Sequence, residues 1–182
     1  MSQEQTLSPA QLNQEAKAAY EREEYEQAAR TFEAAERGYT AAGDSLNAAE
    51  MANNRSVSLL QTGNAQGALD AVGNTPDIFA QAKDTKRQAM ALGNKAAALA
   101  ELGQREEAEK HYWESARLLN EVGETALRAS VLQAISRLQM RSGRVMEAVA
   151  SMQSGLEQVE KPSWTQKLLK KLLQVPQRLL NR

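Results

Sequence analysis

The chain has no cysteine, a single histidine and four prolines, and aromatic residues make up only 4% of its 182 positions. Without cysteine there is no disulfide framework and no thiolate to bind metal or attack a substrate, which fits a reducing compartment. With His111 alone, no nucleophile–base pair can be drawn, and no glycine-rich phosphate loop follows a strand. Clustered acids such as Glu21, Glu23, Glu24 and Glu26 read as a solvated face around a helix turn. These absences argue against an enzyme and against any cofactor or metal. No apolar run approaches the roughly 20 residues of a membrane span, and the polar start, Met1 to Pro9, lacks a signal-peptide pattern. The expectation is a soluble, cytoplasmic protein.

What fills the chain instead is Ala, Glu, Gln, Leu, Arg and Lys. These are good helix formers, and the shortage of β-branched and aromatic side chains points to an all-α fold. The formal charge of −1 is unevenly spread. After Glu160 come six basic residues and no acid, so the first 160 residues hold 16 basic and 23 acidic side chains, a balance of −7. An acidic body followed by a basic tail argues against nucleic-acid binding by the body, since that binding rests on neutralising phosphates.

The order of residues repeats every forty positions. Ala28, Ala68, Ala108 and Ala148 keep this interval, as do Gly63, Gly103 and Gly143, and the acids Asp44, Asp84 and Glu124. A period of this length means stacked supersecondary units. Each unit reads as two helices. Ser8-Pro9 caps the first, and each later unit opens on an acid followed by a hydroxyl residue, which suits the free N–H groups of a helix start. Ala16, Ser56, Ala96 and Ser136 form a small column in the first helices. Ala28, Ala68, Ala108 and Ala148 form another in the second helices, with Ala35, Thr75, Ser115 and Gly155 as a third. Between them stands a larger knob: Phe32, Val72, Tyr112, Met152. Small slots let antiparallel helices approach closely while the knob fills the gap beside them. Gly73-Asn74-Thr75-Pro76 should break one second helix near Val72 and restart it at Pro76.

The run Tyr25-x-x-Ala28-x-x-x-Phe32-x-x-Ala35 resembles the second-helix signature of the tetratricopeptide repeat, and the glycine-to-alanine spacing of Gly63/Ala68, Gly103/Ala108 and Gly143/Ala148 resembles its turn. The standard repeat has about 34 residues; forty-residue versions are similar to those of Pins-type mitotic scaffolds and kinesin light chains. The resemblance implies a right-handed superhelical solenoid of antiparallel helix pairs. It divides the chain into an N-terminal extension (1–8), an array of about four repeats (about 9–44, 45–84, 85–124 and 125–160) and a basic amphipathic C-terminal capping helix (161–182). The usual first-helix leucine is replaced by Glu15, Arg55 and Lys95, with only Ile135 apolar, and the usual proline after the second helix is missing.

In such an array the first helices line a concave face that binds a peptide or protein segment, and the chain is a non-catalytic scaffold. The residues on that face are Asn13, Gln14, Lys17, Tyr20 and Glu21; Glu50, Asn53, Asn54, Val57, Leu60 and Gln61; Met90, Asn94, Ala97, Ala100 and Glu101; and Ser130, Gln133, Arg137, Met140 and Arg141. Its middle is apolar, with Lys17 towards one end and Arg137 and Arg141 towards the other. The resemblance assigns Asn54 and Asn94 to pairing with the backbone of an extended peptide, because a carboxamide both donates and accepts. Solvated or repeat-bridging amides are the other reading of the same residues.

Beyond the repeats, Trp164, Leu168 and Leu172 form an apolar stripe with Lys167, Lys170 and Lys171 on the opposite side. A stripe of this kind covers the last repeat as a cap. It also suits an anionic membrane surface, a partner's groove or self-association, which would make the protein a peripheral membrane adaptor or self-associating module.

Overall fold

The computed structural model of the chain describes residues 7–157. The tail residues Trp164, Lys167, Leu168, Lys170, Lys171 and Leu172 lie outside them. Among the described residues there are nine helices: α1 (Pro9–Glu21), α2 (Tyr25–Ala41), α3 (Ser45–Gln61), α4 (Ala65–Val72), α5 (Thr75–Gln81), α6 (Thr85–Glu101), α7 (Arg105–Glu121), α8 (Thr125–Arg141) and α9 (Val145–Glu157). The described part is all-helical, and the helices pack chiefly against their neighbours in chain order. The exception is the pair α4 and α5, both of which pack on α3 and α6, so together they fill the place of one helix.

The helix starts follow their side chains. Ser8 and Gln11 bond reciprocally, Ser8 N–H donating to Gln11 Oε1 at 2.9 Å and Gln11 N–H to Ser8 Oγ at 3.3 Å. Asp44 and Asp84 accept from the N–H groups of Asn47 and Arg87, at 3.1 and 3.0 Å. Those bonds hold both carboxyls below their ordinary pKa. Glu124 makes no such cap; its longer side chain reaches Lys86 at 2.6 Å instead.

The turns reveal a shorter period than forty. The backbone takes a positive φ, between 58° and 78°, at residues 23, 43, 63, 83, 103, 123 and 143. At every one, that residue's N–H returns three residues and the next N–H returns five. Gly63 bonds Leu60 at 3.1 Å, for example, and Asn64 bonds Leu59 at 2.9 Å. This is the Schellman closure of a helix end. The residue that completes it is also the N-cap of the following helix, as with Asp44, Asn64 and Asp84. Five of the seven positions are glycine; Glu23 and Lys83 hold the left-handed conformation at the other two.

The small columns are buried as expected. Ala16, Ser56, Ala96 and Ser136, and Ala28, Ala68, Ala108 and Ala148, are essentially inaccessible, and Phe32, Val72 and Tyr112 are buried beside them. Met152 is only half-buried. Two of the buried serine hydroxyls find a carbonyl, Ser115 donating to Ala89 at 2.7 Å and Ser136 to Ala148 at 2.8 Å, whereas Ser56 Oγ has no hydrogen-bond partner among the described residues. Arg55 and Lys95, standing where the resembled repeat has leucine, reach polar groups of the second helices. Arg55 pairs with Glu33 at 3.0 Å and Glu36 at 3.4 Å, and Lys95 donates to the Gly73 carbonyl at 3.4 Å.

The second helix of the second pair breaks where expected, although it resumes one residue early, at Thr75. Gly73 turns the chain at φ 38°, and this end closes with one capping bond, Gly73 N–H to Leu69 C=O at 3.0 Å. Phe79 then anchors α5 in the core beneath the Arg87 guanidinium, 5.3 Å from its ring centre.

Candidate binding face

The residues expected to meet a partner come from α1, α3, α6 and α8, and most of them surround two depressions. The first, about 200 Å³, is lined by Lys17, Tyr20 and Glu21 of α1, Asn54 and Val57 of α3, and Phe32 of α2. The second, about 280 Å³, lies between Leu60 and Gln61 of α3, Ala97, Ala100 and Glu101 of α6, and Ala134, Arg137, Leu138 and Arg141 of α8, with Tyr112 of α7 beside them. Twenty-residue antiparallel turns bring these side chains together. Each returns the chain to the opposite side, so alternate helices present one face in common.

Polar contacts link successive first-position helices along this face. Glu50 of α3 pairs with Arg87 of α6 at 3.0 Å, and Glu101 of α6 with Arg141 of α8 at 3.4 Å. Asn94 Nδ2 donates to Asn53 Oδ1 at 3.0 Å. That bond corrects part of the expectation. Asn53 is only 6% exposed and is a bridge between α3 and α6 rather than a free contact for a partner. Asn94 spends one of its two amide hydrogens on it, and its carbonyl oxygen and second hydrogen remain. Asn54 is free of that role and lines the first depression. Asn13 has a buried Oδ1 with no hydrogen-bond partner among the described residues. Gln14 is exposed and Met140 is 53% exposed, and neither borders the two depressions.

Phe32 and Tyr112 are packing knobs, yet both also border the depressions. They stand in the same column, two repeats apart. A large aromatic in that column is long enough to fill the space between helices and still reach the face beyond it. Size at a knob position is therefore the signal that finds them. Burial raises the Tyr112 phenol above its usual range, with the nearby Arg137 opposing the shift. Tyr20 is raised by burial and by Tyr25, whose ring meets it edge-on at 5.2 Å between centroids.

Chemically, the face offers apolar walls with amide, phenol, carboxylate and guanidinium groups at intervals. Among the described residues, no three of His, Cys, Asp or Glu converge to hold a metal ion, and no helix is long and apolar enough to cross a membrane. His111 lies on α7, partly buried, where burial and then Lys95 depress its pKa. Compared with known proteins, the chain matches no protein-family model, and no curated protein is significantly similar to it.

Proposed function

We propose that the chain is a tetratricopeptide-like scaffold, a right-handed superhelical solenoid of four helix pairs that binds an extended peptide or protein segment along the shared face of α1, α3, α6 and α8. The observation that carries this reading is the pair of depressions on one face, lined by side chains from all four of these helices. Two separated, partly apolar hollows suit alternate side chains of an extended segment, as in peptide recognition by pockets. Asn54 stands at the first hollow, and Asn94 lies on α6, one of the helices that line the second. Arg137 at the far hollow, where Arg141 is already paired with Glu101, favours a partner with an acidic residue there.

A displayed peptide library panned against the chain tests the reading. Enriched peptides should share an apolar residue followed, some residues on, by an acid. Val57→Glu should weaken their binding roughly tenfold or more, about 1.4 kcal/mol, and Arg137→Ala should relax the preference for the acid. Asn54→Ala is the cleaner amide test, because Asn94→Ala would also strand the buried oxygen of Asn53. No enrichment, or equal binding by Val57→Glu, would refute the proposal.

A further inference from the structure

The break between α4 and α5 opens a cavity of about 400 Å³ that shares no lining residue with either depression of the face. Its size falls within the roughly 300–1,000 Å³ of small-ligand sites. Glu36, Arg55, Asp70, Gly73 and Thr75 stand in its wall, with alanines of α3 beside them. Thr75 is only 3% exposed, and its hydroxyl oxygen has no hydrogen-bond partner among the described residues. The buried Oε2 of Glu36 accepts no hydrogen bond either, its contact being the Arg55 guanidinium at 3.4 Å. Buried polar groups are ordinarily satisfied, so the unpartnered Thr75 hydroxyl beside a carboxylate oxygen held by one long ion pair marks this wall as a place for a polar ligand.

The sign of that ligand follows from the charges. The Arg55 guanidinium is already shared between Glu33 at 3.0 Å and Glu36 at 3.4 Å. The exposed Asp70 adds another carboxylate, which accepts from the neutral Gln66 amide at 2.8 Å. The C-terminal end of α4 also abuts the cavity at Asp70, Ala71 and Gly73. It closes with the i→i−4 bond of Gly73 alone, without the two Schellman bonds that each of the seven regular turns adds, and the exposed carbonyl end of a helix favours positive charge. Lys95 already donates to the Gly73 carbonyl.

We propose that this cavity binds an organic cation, a guanidinium or primary ammonium group, between the carboxylates of Glu36 and Asp70 and the hydroxyl of Thr75. The alanine-lined surface would accept the alkyl stem behind the charge. Burial raises the Glu36 carboxyl above its ordinary pKa, with Arg55 opposing and Glu33 adding to the shift. A second cation at Oε2 relieves that cost, and protonation of Glu36 in acid weakens the site.

Proton–nitrogen correlation spectra of the full chain, titrated with ethylguanidinium chloride at constant ionic strength, test the site. The amides of Gly43, Gly73 and Asn74 should shift and saturate, and Glu36→Gln with Asp70→Asn should weaken this roughly tenfold or more. Thr75→Val keeps the side chain's volume and carries the test if the carboxylate variant does not fold, which the spread of resonances reports. An Ala-Arg-Ala amide separates the sources of the cation. Saturation by ethylguanidinium assigns a free ligand, and saturation by the tripeptide alone assigns an arginine on a partner. Saturation by neither, or shifts that survive Glu36→Gln and Asp70→Asn undiminished, overturns the proposal.

Discussion

Replacing Glu23 and Lys83 with glycine should stabilise the chain. Both side chains are exposed, and both residues sit at positive φ in a turn whose other five members are glycine. The left-handed conformation costs an L-residue about 1–2 kcal/mol. Glycine gives back about 0.4–1 kcal/mol through the greater freedom of its unfolded chain. The net gain is then about 0.5–1 kcal/mol at each position, or about 1–2 kcal/mol for both. For a chain of this size that raises the thermal midpoint by roughly 3–6 °C. Gly63→Ala supplies the reverse measurement. A Cβ added there meets no atom within 4 Å, so no clash adds to the backbone terms, and the net cost is the same about 0.5–1 kcal/mol with the sign reversed. Thermal and urea unfolding followed by far-ultraviolet circular dichroism would read both effects. If the glycine variants melt no higher than the parent while Gly63→Ala melts no lower, the account of the turns is wrong.

Two further outcomes are expected. Phe79 is 1% exposed at the only break in a helix among the described residues, so Phe79→Ala should cost about 3–5 kcal/mol; a loss under about 1 kcal/mol in urea unfolding would mean that α5 repacks without its anchor. His111 has a pKa depressed by burial and by Lys95 and Lys110, against about 6.5 when unfolded. The unfolded chain therefore binds more protons between the folded value and about 6.5, so stability is full above that window and falls as the pH drops through it. His111→Gln should flatten this slope in unfolding measured across the window, and parallel slopes in the two proteins would sink the argument.

The forty-residue period was legible because Ala28, Ala68, Ala108 and Ala148 are all small for the same steric reason. The twenty-residue period beneath it was not, because Glu23 and Lys83 interrupt the glycine series that would have marked it. Backbone conformation is only partly written in residue type: glycine permits the left-handed turn, but the Schellman bonds can impose it on other residues. The candidate face was readable to the level of helix sides. Which amides are free was not, since the bond from Asn94 to Asn53 joins residues 41 positions apart and depends on how α3 and α6 are set side by side. Period alone places the aromatic knobs in the core, whereas their reach to the outer face depends on side-chain length. The break at Gly73 was predicted from local chemistry, but the cavity beside it depends on α2 and α3 as well.

Each joint uses one residue twice, closing the helix behind it and capping the one ahead. That economy constrains how such a chain can grow. One added block of helix and turn would reverse the direction of every helix after it and exchange the roles of inner and outer members. The candidate set Asn54, Ala97 and Arg137 would lose its common side. Lengthening by duplication is therefore even-numbered, two blocks at a time. A recombination that respects the forty-residue unit preserves the face, and one that cuts at twenty destroys it, although every turn would still fold.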